Sequence, residues 1–103
     1  MSVEVVWRPG ARRDLLDIYV RIAFDSPQAA DRFYDTMEAR AETLTRHPRL
    51  GPRRPDIRPA TRMLVEGPYL LLYETVPDSD DGPIERVDIV RVVDGRRDLT
   101  RLF

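Results

Sequence analysis

Cysteine and lysine are both missing from this chain, and histidine occurs once, at His47. Without cysteine there is neither a disulfide nor a thiolate metal site. Without lysine there is no amine to serve as a Schiff-base nucleophile or general base. One histidine does not make a histidine-rich metal site, so neither a metal nor a cofactor is expected. No apolar run approaches the roughly twenty residues that cross a bilayer, which removes the membrane as a partner. The start, Met1-Ser2-Val3-Glu4-Val5, lacks the basic-then-apolar order of a secretory leader, and a cytoplasmic protein is expected.

What is present suits one folded domain over residues 1–103: 42% of the residues are hydrophobic, enough for one core. All 17 basic residues are arginine. Genomic base composition accounts for that as readily as a need for guanidinium forks on phosphate or carboxylate. The net charge of −1 argues against unaided binding to nucleic acid, and no direct sequence-specific contact with it is expected. The charge is segregated, however. Residues 46–62 hold Arg46, Arg49, Arg53, Arg54, Arg58 and Arg62 against Asp56 alone. Residues 74–88 hold Glu74, Asp78, Asp80, Asp81, Glu85 and Asp88 against Arg86 alone. A dipolar surface able to steer an acidic partner to one side is the expectation.

Residues 3–7 alternate weakly and predict a short strand. Pro9 suits the first turn of a helix, and Ala11, Leu15, Ile18, Tyr19 and Ile22 then share one helical face. Asp14 and Asp17 mark its wet side. Ser26 is placed to cap a second helix with Pro27 in its first position. Ala30, Phe33, Tyr34, Met37, Ala41 and Leu44 form the next stripe. Pro48 predicts an end at His47. The short link between the helices makes an antiparallel αα-hairpin. Residues 48–59 carry four prolines, Pro48, Pro52, Pro55 and Pro59, and predict a stiff packed loop.

Three strands follow. Glu66-Gly67-Pro68-Tyr69 fits a two-residue turn with glycine first, the type II′ hairpin. Period two then puts Met63, Val65, Leu70 and Leu72 on one face. Arg62, Leu64, Tyr69, Leu71 and Tyr73 take the other. Residues 77–83 form an acidic turn. Residues 86–93 are the most strand-like run of the chain. Strict alternation would bury Arg91 beside Val87 and Ile89, so a bulge near Val90 is predicted. The fold class is α+β: strand, antiparallel αα-hairpin, then a three-stranded antiparallel meander completing a small four-stranded sheet.

The order and spacing of Ala11…Asp14-Leu15…Ile18-Tyr19, Ala29-Ala30…Phe33, Leu44…Pro48…Gly51, Arg62…Gly67-Pro68-Tyr69…Tyr73 and Val87-Asp88-Ile89…Arg91-Val92…Gly95-Arg96-Arg97-Asp98 resemble the ParE/RelE superfamily of type II toxins, nearer the ParE branch. The resemblance spans residues 3–98. It implies a growth-inhibiting toxin in hetero-oligomeric complex with a cognate, ParD-like antitoxin whose C-terminal segment covers a hydrophobic groove. For the ParE branch it implies DNA gyrase as target and binding as the mode of action. For the RelE branch it implies ribosome-dependent cleavage of messenger RNA. A non-toxic relative that only joins its antitoxin in autorepression is a third possibility. Asp94 stands where the family commonly has histidine. The last residues offer neither the tyrosine nor the histidine frequent in the ribonucleases.

Cleavage of RNA through its 2′-hydroxyl needs proton transfer, and guanidiniums stay protonated. They can stabilise phosphorane charge. His47 complements the end of a helix; Tyr69 and Tyr73 suit core or rim packing. No catalytic residue is assigned, and an enzyme is the less favoured expectation. Arg62, Tyr73, Arg91, Arg96 and Arg97 are the candidates for gripping a target at one rim of the sheet. Arg62 is equally suited to an ion pair with Asp88 or Glu74, and the last three to pairing with Asp94 or Asp98. Leu64, Leu71, Val90 and Val92 are the candidate antitoxin strip, on a face that two helices leave open. A partner would meet it as a helix in a groove or as an added strand.

Overall fold

The computed structural model describes residues 3–96. Its elements are β1 (Glu4–Trp7), α1 (Pro9–Asp25), α2 (Pro27–Thr43), β2 (Arg62–Glu66), β3 (Tyr69–Val76) and β4 (Arg86–Asp94). Among the described residues, no helix is long and apolar enough to cross a membrane.

Local chemistry sets the helix starts. Pro9 and Pro27 occupy first-turn positions, where a missing N–H costs nothing. The Ser26 hydroxyl accepts from the Ala29 N–H at 3.1 Å, satisfying one orphan donor of α2. The far end of α2 differs from expectation: it stops at Thr43 rather than His47. Leu44, Thr45 and Arg46 donate to carbonyls three residues back, at 3.0, 3.1 and 3.2 Å, so the chain tightens before it stops. The Thr43 and Thr45 hydroxyls donate to the Arg40 and Glu42 carbonyls, competing with the helical pattern.

The sheet order is β1-β4-β3-β2. Strands β2, β3 and β4 run antiparallel, and β1 lies parallel to β4. Gly67 sits at φ +60 between the paired Glu66 and Tyr69. A side chain resists that conformation, and glycine first is what the type II′ turn requires. The ladder of β3 and β4 slips once: Leu72 pairs Arg91 while Tyr73 pairs Ile89. Val90 is therefore the bulged residue. The extra residue returns Val92 to the face of Val87 and Ile89.

Both helices lie on that face. Leu15, Ile18, Phe33, Met37 and Leu44 pack against Leu64, Leu71, Tyr73, Val87, Ile89 and Val92. On the opposite face Leu70, Leu72 and Val93 form a smaller cluster with Ile57 and Met63. The proline-rich loop supplies that cover. It is pinned to β2 by Met63 N–H on the Pro52 carbonyl (3.1 Å) and Arg54 N–H on the Thr61 carbonyl (2.7 Å).

This placement corrects the expected antitoxin strip. Leu64, Leu71 and Val92 are buried in the helix-side core, and Val90 is half-buried at the bulge. The pleat puts Leu64 and Leu71 on the side of Tyr73, and the bulge adds Val92 to them. The face away from the helices is the Met63, Val65, Leu70 and Leu72 row, which the loop covers except at Val65.

Candidate functional site

Arg62 and Tyr73 face each other across β2 and β3. Arg62 is buried. Its Nη1 donates to the Gly51 carbonyl at 2.9 Å, and its Nη2 lies 3.4 Å from Asp80 Oδ1. Its Nε is buried with no hydrogen-bond partner among the described residues. Neither acid expected from the sequence is its partner: Asp88 pairs with Arg86 at 2.8 Å and Arg8 at 3.2 Å, and Glu74 is not among its contacts. Tyr73 is fully buried, and its hydroxyl oxygen accepts from the Gly51 N–H at 2.8 Å. Burial pushes the phenol above its ordinary pKa, against the opposing pull of the Gly51 N–H and the Arg62 charge. A proton shuttle for neutral pH needs the opposite shift.

The arginines of β4 are engaged elsewhere. Arg91 pairs in register with Leu72, so it leaves the helix face, as expected of the bulge. Its guanidinium then bends round the β4 edge to α1. Nε and Nη2 lie 2.6 and 3.0 Å from the Asp14 carboxylate, which also accepts the Val92 N–H at 3.0 Å. Asp14, read from the sequence as a wet-side residue, is thus the clamp between helix and strand. Arg96 is held by Asp94, whose carboxylate accepts from Arg96 Nε at 2.8 Å and from its backbone N–H at 3.0 Å. Those bonds hold the Asp94 carboxyl well below its usual range, at about 2. Arg97 lies outside the described residues.

The predicted convergence is therefore absent among the described residues. Arg62 shares a row with Tyr73, whereas Arg96 follows Asp94, which pairs with Tyr69. Four residues of β3 separate those rows, about 13 Å at the rise of an antiparallel strand. Arg91 and Arg96 are each bound to a neighbouring carboxylate.

Sequence reading missed a second apolar stripe on α1. Leu16, Val20 and Phe24 are 55%, 52% and 86% exposed. Their spacing of four was the available signal; it was overshadowed by the core stripe one residue away. Val20 also lines a groove of about 450 Å³ with Val92 and Val93, walled by the charged Asp14, Asp17, Arg21, Arg91 and Asp94. Ile18 and Arg21 carry the groove on to Ile22 and Tyr69. It ends in an apolar stretch of about 490 Å³ beneath Ile22, Phe33, Met37, Pro68 and Tyr69. The Phe33 and Tyr69 rings meet edge to face at 4.8 Å on its floor. A channel thus runs between the helical hairpin and the sheet, continuous with the exposed stripe.

At two strand edges a backbone N–H is already taken. Asp14 takes the Val92 N–H on the side of β4 that β1 no longer covers. Pro52 takes the Met63 N–H on the outer side of β2. The segregated charges also meet one another: Arg49, Arg53 and Arg62 contact residues 78–82. The expected dipolar surface is in large part an internal clasp.

The family model for the "ParE toxin of type II toxin-antitoxin system, parDE" matches residues 5–99, and the chain belongs to that family. It is similar in three dimensions to a solved structure described as the chromosomal ParDE TA system from P. aeruginosa. The two share 20% identity and a TM-score of 0.69, over 88% of this chain and 94% of that one. At that identity the likeness is one of fold. No curated protein sequence matches the chain.

Proposed function

We propose that this ParE-family toxin is neutralised by an amphipathic helix of its antitoxin lying along the channel and the Leu16, Val20 and Phe24 stripe, and that it acts by binding DNA gyrase rather than by bond-making. The observation that carries the docking mode is the exposed apolar stripe, which meets a charged groove at Val20; that groove leads on to an apolar stretch under Ile22, Phe33 and Tyr69. Docked helices are read as anchors at such spacings. One outward N–H is already taken at each of the β4 and β2 edges, which disfavours an added strand at those two places. Arg12 and Arg13, both exposed near the start of the stripe, suit acidic residues on the incoming helix.

A binding mode of action is supported by the states of the candidate residues. Arg62 is bonded to backbone carbonyls, Arg91 and Arg96 to carboxylates, and the Tyr73 hydroxyl is buried. Gyrase as the target rests on the family resemblance, and Arg62, Arg91, Arg96 and Arg97 stay with it as target-contact candidates, while Tyr73, fully buried, is withdrawn as one.

Two measurements test the reading. Phe24→Ser with Val20→Ser should leave the urea midpoint within about 0.5 kcal/mol of the parent in free energy, as exposed substitutions do. The same change should weaken binding to the antitoxin encoded beside it by at least about tenfold, the scale of a lost apolar anchor. Unchanged affinity would move the antitoxin elsewhere. Purified toxin should inhibit gyrase supercoiling while leaving translation intact. Codon-specific cutting of ribosome-bound message would instead establish a ribonuclease.

A further inference from the structure

The arginine-rich loop and the acidic turn are far apart in sequence, and the fold lays one on the other. Arg53 Nη1 is 2.8 Å from Asp78 and its Nε 2.9 Å from Asp80. Arg62 Nη2 reaches the same Asp80 oxygen at 3.4 Å. Arg49 donates to the Ser79 and Gly82 carbonyls at 3.0 and 2.8 Å and to the Ser79 hydroxyl at 3.3 Å. Three guanidiniums therefore close on one turn. The bond from Arg53, with the fields of Arg53, Arg62 and Arg49, holds the Asp80 carboxyl below its usual range.

The two sides of this clasp are unequal. The Asp80 side chain is 80% exposed and that of Arg62 only 7%. The carboxylate end of each pair is the solvent-facing one, so an anion from solution approaches from the Asp80 side. Arg62 would stay where it is, because the Gly51 carbonyl and the surrounding core fix it. Its buried Nε has no acceptor among the described residues. Of the three guanidiniums only Arg53 and Arg62 meet a carboxylate of the turn, while Arg49 holds its carbonyls and the Ser79 hydroxyl. Arg62 is thus preorganised, and Arg49 and Arg53 are brought to it by the turn itself.

We infer that residues 78–82 are an internal stand-in for a phosphate group, masking an oxyanion site built by Arg49, Arg53 and Arg62. Phosphate suits the site: it presents several charged oxygens to guanidinium forks, where a carboxylate presents two. The inference does not depend on gyrase or on the antitoxin, and its test is independent of toxicity.

The test is the double change Asp78→Asn with Asp80→Asn, measured by fluorescence anisotropy against a short single-stranded DNA. The variant should bind about tenfold tighter than the parent, with affinity falling as salt rises. Inorganic pyrophosphate should displace the DNA, since the site recognises the phosphate group itself. Adding Arg53→Gln should return binding to the parent level. A charge-matched control, Asp35→Asn with Glu38→Gln on the exposed side of α2, should stay at the parent level. No gain in the double variant at an unchanged urea midpoint overturns the inference. So does an equal gain in the control, or binding that pyrophosphate leaves untouched. Should the double variant melt early, Asp80→Asn alone carries the same outcomes.

Discussion

Tyr69 and Tyr73 stand four residues apart on one strand, with side chains on the same face, and they serve opposite ends. Tyr73 is fully buried, with the Gly51 N–H on its oxygen and Arg62 beside it. Tyr69 is half-buried, packs on Phe33, and floors the channel. The difference comes from what covers each. The proline-rich loop folds over the Tyr73 end. At the Tyr69 end the helical hairpin stands off the sheet and leaves a groove. One end of the sheet is closed, and the other carries the groove proposed for the antitoxin. Charge follows the same division: Arg62 is fixed mainly by distant backbone, whereas Arg96 is held by an acid two residues away.

Breaking the closed end should cost most. A Cβ at Gly51 would lie 2.6 Å from the Met63 carbonyl oxygen and 2.9 Å from the Tyr73 ring. Gly51→Ala should lower stability by about 2–3 kcal/mol in urea melts, the range for overpacking against backbone. Asp14→Ala removes the acceptor of Arg91 and of the Val92 N–H. A loss of about 2 kcal/mol is expected for bonds to a charged group, and Asp14→Asn should recover part of it. Tyr73→Phe strands the Gly51 N–H and should cost about 1–2 kcal/mol. Tyr69→Phe should cost less than about 0.5 kcal/mol; equal costs for the two tyrosines would end the contrast between the ends.

The smallest effect concerns pH. Asp94 titrates at about 2 in the folded chain against an ordinary 3.8. Its folded pKa is depressed, so its contribution is fully present above about pH 4 and is lost as pH falls toward 2. Arg96 is mostly exposed, so screening limits that contribution to about 1 kcal/mol. Asp94→Asn should flatten this part of the urea-midpoint profile, and a profile that keeps its slope would assign the acid sensitivity to other carboxylates.

The elements themselves were legible in the sequence. Ser26 and Pro27 marked the start of α2, Gly67 the hairpin, and the awkward Arg91 the bulge at Val90. Each of these depends on neighbours a few residues away. The candidate site was legible only in part. The two faces of β2 and β3 were sorted correctly, but Leu64 and Leu71 were assigned to the face the helices leave open, with Val90 and Val92 of β4 beside them, and so they were expected at the surface. Leu16, Val20 and Phe24 were visible as a spacing. Nothing local distinguishes a stripe that faces the core from one that faces water when two lie side by side on one helix.

By itself the sequence determined the order of strands and helices, their caps and turns, and membership of a small α+β class, because capping, turn geometry and side-chain period are short-range. Only the tertiary structure decided what each arginine holds. Asp14 is 77 positions from Arg91 and Asp80 is 27 from Arg53, and a charge's partner is chosen by distance in space.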